Sequence, residues 1–509
     1  MLARGCAELD GAKVKSPIPD YLQVVVDHSS YDNPGHNASY ISELRDADPN
    51  RVGACLSTVD GVVYAAGDTD VEFTIQSISK AFVYALALEQ NGLEAVLERV
   101  GVEPSGEAFN ELSLEQVGTK EIADGYTSTG LWIRRRSGNS GPLETDTRRP
   151  LNPMINAGAI TAHTLIGPAG ISADERFELI RKGLSAFAGR DLGVDEAAFE
   201  SEMNTAYRNT AIACMLRNYD LIDVEPEDVV KAYTRQCAIS VTARDLALMA
   251  TTLANGGVQP LTEERVVRPE VVRQVLSVMM TCGMYNGAGD WVSSVGIPAK
   301  SAVSGGIMAA LPGQLGIATF STRLDKHGTS VRGVRICKRL SDDMGLHIMH
   351  APEPARSVVR RHYRLQAPDG SRTVSVLSLQ GTITFTSAER VIRALSAGSA
   401  LNATSADGVV LDLRQVYSVD NVARRITRES VKRLRAAGYV VYVIDPEGLL
   451  RMVAQEKGPD TDGICDASVN DLSTFDSWKR LTTPPMMRRL TSDRALPRLA
   501  DNFKMSLFS

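Results

Sequence analysis

Two prolines divide this 509-residue chain into stretches with different patterns. Pro352 and Pro354 disfavour a continuing helix, and a charged segment at residues 356–364 follows them. The chain before these prolines mixes helical and strand patterns densely, whereas short strands rich in β-branched residues alternate with helices after Arg372. We therefore predict a large domain over residues 16–350, a linker over 351–371, a small α/β domain over 372–470 and a polar tail over 471–509.

The region after residue 372 has the pattern of a parallel sheet. Runs of apolar and β-branched residues predict strands at 374–379, 408–413 and 439–444. A capping box at residues 386–389 opens a predicted helix that extends to Leu395, and a second helical run stops at Gly438. Strands that alternate with helices in this way form mainly parallel sheets with helical crossovers.

Composition and charge exclude several classes of partner. The formal net charge is −6 without a long basic run, and no stretch reaches the ~20 apolar residues that span a bilayer, so we predict neither a nucleic-acid nor a membrane partner. The seven cysteines are scattered and form no Cys-x-x-Cys pair, which indicates thiols in a reducing compartment. No histidine lies at metal-ligand spacing from Cys or Asp, so we predict no metal and no cofactor. Because the first residues lack the apolar segment of a signal peptide, we expect a cytoplasmic protein.

The first chemical candidate is the Ser-x-x-Lys sequence formed by Ser77 and Lys80. Apolar residues recur at helical spacing after it, and Asn91-Gly92 is typical of a helix end. Positions i and i+3 share one helix face, so Ser77 Oγ and Lys80 Nζ can meet. A serine nucleophile needs an adjacent base, and a buried lysine can be that base because desolvation lowers the pKa of an amine. The alternative is that Ser77 is a helix N-cap and Lys80 is solvated.

A second candidate element is Lys300-Ser301-Ala302, which precedes the apolar run at residues 307–311. An early Ser-x-x-Lys and a late Lys-[Ser/Thr]-Gly-like strand are the pair of elements used by penicillin-binding proteins and class A β-lactamases. The edge of such a strand supplies a backbone N–H that binds an oxyanion together with the N–H of the serine. The alternative is a buried hairpin that ends in a Gly-rich turn.

Several longer motifs, in one order, resemble the serine-dependent glutaminase family over roughly residues 16–350. They are Tyr40-Ile41-x-x-Leu44, Thr58-Val59-Asp60-Gly61, Gln76-Ser77-Ile78-Ser79-Lys80, Asn152-Pro153-Met154-Ile155-Asn156-Ala157-Gly158-Ala159-Ile160, Tyr233-x-x-Gln236-Cys237, Leu253-Ala254-Asn255-Gly256-Gly257 and the Lys300 strand. The resemblance implies an α+β catalytic domain of the serine β-lactamase-like type, with a mixed or antiparallel sheet flanked by a helical subdomain. The region 372–470 resembles a STAS domain, a small α/β fold.

By this resemblance the chain deamidates L-glutamine to L-glutamate and ammonia through an acyl-enzyme. Ser77 matches the nucleophile and Lys80 its general base. Tyr285 matches a tyrosine that relays a proton to the leaving ammonia, Tyr233 a second tyrosine at the pocket, and Val303 the residue whose backbone N–H completes the oxyanion hole. The positions that match substrate contacts are Tyr40, Gln76, Asn156, Glu202 and Asn209.

These residue types suit free glutamine. Glu202 supplies an anion for the α-ammonium, while amide and phenol groups suit the α-carboxylate and the side-chain amide. Glu202 and Asn209 are seven residues apart, so one helix face would present both if the helix extended that far. A single Glu is usually solvated and a single Tyr usually packs in a core, so the prediction depends on the whole set.

Two departures from the family pattern bear on function. Ala302 stands where the family usually has Gly in the lysine strand, which places a methyl group beside the expected oxyanion hole. Asn421 stands where signalling STAS domains carry a phosphorylated serine, so we predict no phospho-switch of that kind.

Two other functions are open to such a chain. A β-lactam-acylating enzyme of the same superfamily is disfavoured by Asn156 and Glu202, which suit an amino-acid head group. A catalytically silent glutamine sensor that acts through the STAS-like region is disfavoured by the intact serine, lysine and tyrosine set. Family members commonly form dimers or larger assemblies, so we expect a homo-oligomer, either a dimer or a tetramer.

Overall fold

The structure, a computed structural model, divides into two units, residues 1–350 and 351–509. It describes residues 18–106, 111–117, 147–350, 358–384, 387–388, 391, 407–436, 438–451 and 477–481. In the first unit the strands are β1 (Val52–Thr58), β2 (Val63–Gly67), β3 (Phe73–Thr74), β4 (Leu114–Val117), β5 (Thr147–Pro150), β6 (Ser240–Val241), β7 (Ala299–Ser301), β8 (Gly306–Leu311) and β9 (Leu315–Ser321).

The helices of this unit flank its strands in sequence. They are α1 (Ile18–Ser29), α2 (Ser42–Arg45), α3 (Ser79–Asn91), α4 (Leu93–Arg99), α5 (Asn156–Thr164), α6 (Ala173–Ala188), α7 (Glu196–Met203), α8 (Tyr207–Asn218), α9 (Pro226–Cys237), α10 (Ala243–Ala254), α11 (Pro269–Cys282), α12 (Ala288–Ser294) and α13 (Val331–Met344). Among the described residues, none of the helices combines the length and the apolar character needed to cross a membrane.

An antiparallel sheet forms the centre of the first unit, in the order β2-β1-β9-β8-β7. Strand β8 illustrates how it is covered. Ile307 and Ala309 belong to an apolar cluster with α1 and α13, whereas Met308 and Ala310 belong to a second cluster with α3 and α10. This alternation with a period of two is what a strand requires when helices bury both of its faces.

A helical subdomain lies beside this sheet. Helices α5, α8 and α9 share an apolar cluster that includes Ile160, Leu216 and Val229. The short pair β3 and β6 is antiparallel, with Phe73 opposite Val241, and β6 follows α9 closely along the chain. The pairing therefore brings the end of α9 to the residues that lead into the Ser-x-x-Lys sequence. The mixed α/β class predicted for the chain is confirmed.

The second unit contains strands β10 (Val359–Gln366), β11 (Thr373–Ile383), β12 (Gly408–Val419), β13 (Val440–Ile444) and β14 (Lys479–Leu481), and helix α14 (Asn421–Ala436). Their order in the sheet is β13-β12-β11-β10-β14. Strands β11, β12 and β13 are parallel neighbours, and α14 connects β12 to β13. Leucine and valine side chains of β11, β12 and β13 form an apolar core with α14.

Three details of this unit differ from the prediction. Strand β10 lies in the range assigned to a linker and β14 in the range assigned to a tail, and β10 is antiparallel to both β11 and β14. Both strands are rich in arginine and lysine, so no apolar run marks them in the sequence. Strand β11 continues past Gly381 to Ile383 because shifts in register accommodate the glycine. The capping-box helix predicted at 386–395 lies largely outside the described residues, as does most of the 471–509 range.

Candidate active site

Ser77 lies in a short 3-10 turn, Gln76–Ile78, between β3 and α3. The turn is anchored at its start by the Ile75 N–H, which donates to the Ile239 carbonyl at 2.8 Å. Gln76 has φ 46°, a left-handed conformation that costs energy for any residue except glycine. Ser77 caps neither this turn nor α3, whose capping positions carry no side-chain hydrogen bond. The serine is buried at the head of a long buried helix.

Lys80 is fully buried rather than solvated. Its Nζ donates to Asn156 Oδ1 at 2.6 Å and to the Met154 carbonyl at 3.2 Å. Burial lowers the pKa of Lys80 to about 8, although the nearby Cys237 and Glu202 act in the opposite direction. A lysine with such a pKa carries a substantial neutral fraction near neutral pH, which a general base requires.

Two of the expected substrate contacts, Asn156 and Asn209, are linked to this lysine by hydrogen bonds, and Gln76 and Glu202 form a second hydrogen-bonded pair. Asn156 Nδ2 donates to Asn209 Oδ1 at 2.8 Å, and Gln76 Nε2 donates to Glu202 Oε2 at 3.0 Å. Burial raises the pKa of Glu202 to about 7, against the opposing effects of the Gln76 bond and the Lys80 charge. The structure thus brings Gln76, Lys80, Asn156, Glu202 and Asn209 together with Ser77.

The placement of Glu202 and Asn209 differs from the one-helix prediction. Glu202 lies near the end of α7, whereas Asn209 lies in the first turn of α8. The chain between the two helices, residues 204–206, leaves the helical path. The two side chains are therefore presented by separate helices and are linked to different partners, Gln76 and Asn156.

The two tyrosines lie near the serine and lysine; Tyr233 is buried and Tyr285 is half-buried. Tyr285 lies in a 3-10 turn, Tyr285–Gly287, and the Lys300 Nζ lies 4.1 Å from the centre of its ring. Burial raises the pKa of Tyr285, and the hydroxyl of Ser77 is close enough to oppose part of this rise. Burial also raises the pKa of Tyr233, with further contributions from Cys237 and Glu202. Both phenols therefore stay protonated, as a proton relay requires.

Val303 and Tyr40 lie at the edge of this group. Val303 is buried in the loop between β7 and β8, against Ile41 and Leu44. Tyr40 is 48% exposed, but burial at its hydroxyl end and the charge of Glu202 raise its phenol pKa. The Thr205 hydroxyl donates to the Tyr40 carbonyl at 3.4 Å, which ties the Tyr40 loop to the end of α7.

Ala302, the departure in the lysine strand, is accommodated by the core. It is fully buried and belongs to the same apolar cluster as Phe73, Ile78 and Phe320. Its N–H donates to the Gly306 carbonyl at 2.9 Å, so the turn between β7 and β8 closes with the alanine in place. The extra methyl group therefore packs among apolar side chains.

A cavity of about 540 Å³ opens beside the site. It is lined by Tyr285, Met154 and Asn152 together with residues of α11 and α12. Its volume lies within the roughly 300–1,000 Å³ of small-molecule sites. Within the described part of the chain there is no group of three His, Cys, Asp or Glu side chains that could hold a metal ion.

The residue-by-residue prediction assigned no individual role to several buried polar groups at the site. Lys300 is fully buried, donates to the Ser301 carbonyl at 2.7 Å and has a pKa lowered by burial. Gln236 and His163 form a buried hydrogen bond behind the serine turn. The signal for Gln236 was its place in the Tyr233-x-x-Gln236-Cys237 motif, one helical turn from Tyr233. His163 has no such local signal.

Comparison with known proteins supports a family assignment. The model of the family described as Glutaminase matches residues 35–123 and 136–349. A glutaminase of Corynebacterium efficiens is 45% identical over 434 residues, which cover 85% of this chain and 93% of that protein. Glutaminase 2 of Bradyrhizobium diazoefficiens is 40% identical over 445 residues, which cover 84% of this chain and 66% of that protein.

Solved structures agree with this assignment. A crystal structure of Mglu has a TM-score of 0.69 and 43% identity, and the match covers 85% of this chain and 99% of that one. The structure of the probable glutaminase ybaS has a TM-score of 0.56 and 34% identity, and covers 65% of this chain and 99% of that one. The family match spans more than half of the chain, and the buried serine and lysine and the two tyrosines lie within it; the chain belongs to the glutaminase family.

Proposed function

We propose that the chain hydrolyses L-glutamine to L-glutamate and ammonia through an acyl-enzyme on Ser77. The observation that carries this proposal is the fully buried Lys80, three residues after a buried serine, with a pKa lowered to about 8. A lysine buried beside a serine on one helical turn is a costly arrangement that general-base chemistry explains. Family membership supplies the substrate.

The first half of the reaction acylates the serine. Ser77 Oγ attacks the carbonyl carbon of the side-chain amide while Lys80 Nζ takes the hydroxyl proton. The oxyanion that forms accepts hydrogen bonds from the backbone N–H groups of Ser77 and Val303. The C–N bond then breaks as Tyr285 passes a proton to the leaving nitrogen, and the proton on Lys80 replaces it on the phenol. Ammonia leaves and an ester remains on Ser77.

The second half releases glutamate. A water molecule attacks the ester carbonyl, Lys80 accepts the proton of that water, and the C–O bond to Ser77 breaks with return of a proton to Oγ. Free enzyme and L-glutamate result. Tyr233, which is buried near Glu202, keeps its hydrogen through this cycle because burial raises its pKa.

Glu202 and the neutral polar residues of the site hold the α-amino acid head. Glu202 pairs with the α-ammonium, and Gln76 steadies that carboxylate through its 3.0 Å bond. Asn156, Asn209 and Tyr40 supply neutral groups for the rest of the substrate. Benzylpenicillin carries no ammonium group and so gains nothing from Glu202.

The test of this proposal is Ser77→Ala. We expect kcat for ammonia release from glutamine to fall by roughly 10³ or more, while glutamine still binds. Ser277→Ala, which removes an exposed serine hydroxyl from α11, should behave like wild type. Labelled penicillin serves as the second substrate. A Ser77→Ala chain that keeps a tenth of wild-type kcat contradicts the proposal, and acylation by penicillin without glutamine turnover favours the β-lactam alternative.

We also propose that the second unit is a STAS-like domain that affects assembly or control. The parallel strands β11, β12 and β13 with the crossover helix α14 support it. The Corynebacterium match of 434 residues is longer than the first unit, so that glutaminase shares part of this region. We further propose a cytoplasmic homo-oligomer, which light scattering and cell fractionation would test; the described cysteines are all free thiols.

A further inference from the structure

A buried chain of hydrogen bonds runs from α5 through α9 to the serine turn. His163 Nδ1 lies 2.8 Å from Gln236 Oε1, and Gln236 Nε2 donates to Ser79 Oγ at 2.9 Å. Ser79 Oγ in turn donates to the Gln76 carbonyl at 2.7 Å. His163, Gln236 and Ser79 are completely buried and Gln76 nearly so.

The direction of this chain follows from its chemistry. Ser79 has one hydroxyl proton, which the Gln76 carbonyl accepts, so its oxygen must accept from the Gln236 NH₂ group. The Gln236 carbonyl oxygen is then left for His163, whose Nδ1 must carry the proton. Burial lowers the pKa of His163 to about 4, so the ring stays neutral in this single tautomer at ordinary pH. All three protons point toward Gln76.

The hydrogen-bond chain ends on a strained residue of the site. Gln76 has φ 46°, and a non-glycine residue keeps such a conformation only where its surroundings enforce it. Its carbonyl receives the Ser79 bond, its side chain donates to Glu202, and the next residue is Ser77. The orientation of the serine and of the Glu202 carboxylate both depend on this one residue.

This hydrogen-bond chain costs free energy of folding. Within the described residues His163 Nε2 is buried without a hydrogen-bond partner, a penalty that an apolar side chain of similar size would avoid. Packing alone therefore does not explain a histidine at this position. The bond from His163 to Gln236 explains it, because that bond fixes the orientation of the amide.

We propose that His163, Gln236 and Ser79 are positioning residues that hold Gln76 in its left-handed conformation and so direct Ser77 at the substrate carbonyl. The proposal rests on the proposed function of Ser77 as nucleophile. None of the three touches the substrate. Their effect is to hold the serine in the geometry for attack, in which a misplacement of about 1 Å can cost roughly 100-fold in rate.

The first experiment compares Gln236→Leu with Thr234→Val in the full-length chain. Leucine has a similar size but breaks both bonds of the amide, whereas Thr234 is equally buried on α9 and its hydroxyl has no partner within the described residues. We expect Gln236→Leu to lower kcat for glutamine by about 10- to 100-fold with a smaller change in KM. Thr234→Val should stay within about threefold of wild type.

The second experiment uses Ser79→Ala, Ser79→Thr and the double variant Ser79→Ala/Gln236→Leu. Ser79→Ala removes only the last bond and remains informative if Gln236→Leu fails to fold. Ser79→Thr restores a hydroxyl and should recover most of kcat. If the residues act through one chain of hydrogen bonds, the double variant is no less active than the less active of the two single variants. Independent structural damage would instead add the two losses.

Two outcomes separate this inference from the proposed function. If wild type is active and depends on Ser77, but Gln236→Leu and Ser79→Ala turn over glutamine like Thr234→Val, the positioning role is wrong. Additive losses in the double variant also overturn it. If Ser77→Ala keeps its activity, the proposed function fails first and the positioning role fails with it.

Discussion

At the scale of residues, two buried lysines are the unusual feature of this site. Lys80 donates to Asn156 and Met154, whereas Lys300 donates to the Ser301 carbonyl and lies over the Tyr285 ring. Burial lowers the pKa of both, and the charge of Lys80 lowers that of Lys300 further. Two ammonium groups in one buried site are therefore disfavoured, and this makes a neutral lysine available at moderate pH.

The pH profile follows from two of these groups. We expect kcat/KM for glutamine to rise with pH through the values near 7 and 8 at which Glu202 and Lys80 titrate, and then to level off. Glu202 must be ionised to bind the α-ammonium, and its pKa is raised to about 7 by burial. Lys80 must be neutral to accept the serine proton, and its pKa is lowered to about 8 by burial. Both groups act deprotonated, so both favour the alkaline side.

Initial rates of ammonia release on both sides of these pH values measure this profile. If the rate instead fell across this pH range, the rate-limiting group would be one that acts in its protonated form. Lys80→Arg is the matched variant, because a buried guanidinium does not lose its proton in this range. It should be nearly inactive at every pH, with Lys182→Arg, at an exposed position, as its control.

Glu202 is the residue expected to select an amino-acid head group. Glu202→Gln keeps the shape and still accepts the Gln76 bond, but removes the charge that pairs with the α-ammonium. We expect KM for glutamine to rise by the loss of about 1.5–3 kcal/mol of charge-assisted bonding. Glu200→Gln, which changes an exposed residue of the same helix, should leave KM unchanged. Equal KM values for the two variants would place Glu202 outside the substrate pocket.

At the scale of elements, the start of α5 is set by a close backbone approach. Asn152 Oδ1 accepts from the N–H groups of Met154 and Ile155, which turns the chain into the helix. Gly158 lies directly against that turn, so that a Cβ atom on it would stand 1.9 Å from the Asn152 carbonyl oxygen. The position of Asn156, and through it that of Lys80 Nζ, depends on this contact.

Gly158→Ala tests this dependence. The backbone must move to relieve the overlap, so we expect a loss of roughly 1–3 kcal/mol in the free energy of unfolding and a lower kcat. Denaturant unfolding and ammonia release measure the two effects. Gly193→Ala is the control, since nothing lies within 4 Å of the Cβ that it would add. A Gly158→Ala chain with wild-type stability and kcat would show that α5 tolerates the shift.

At the scale of the whole molecule, the proposed active site lies in the first unit, whereas each of the two units has a core. Every residue of the proposed site, from Tyr40 to Val303, belongs to the first unit. The large apolar clusters around the sheet and the helical subdomain consist of residues before His350, and separate clusters lie within the second unit. Each unit therefore has a core of its own.

We expect residues 1–350 alone to fold and hydrolyse glutamine with a kcat close to that of the full-length chain. Circular dichroism establishes folding, ammonia release gives kcat, and light scattering compares the assembly of the two proteins. A change in assembly with unchanged kcat fits a control role for the second unit. A soluble, folded and inactive fragment would mean that the second unit completes the active site.

The sequence by itself determined the local features of this protein. Ser77 and Lys80 are three residues apart at the start of a helix, so their proximity follows from helix geometry. The apolar runs of β8, β12 and β13 were likewise legible, because each is a property of one element. The resemblance of the motifs to a known family also identified site residues whose proximity no local pattern indicates.

Only the tertiary structure decided how those residues are linked. Asn156, Glu202 and Asn209 come from the separate helices α5, α7 and α8, and the bond between His163 and Gln236 joins α5 to α9. The strands β10 and β14 carry too few apolar residues to be recognised before their partner strands are known. The physical reason is the same in each case. Burial, and with it the pKa of Lys80 and Glu202, is produced by surfaces that distant segments bring together, and sequence periodicity describes one segment at a time.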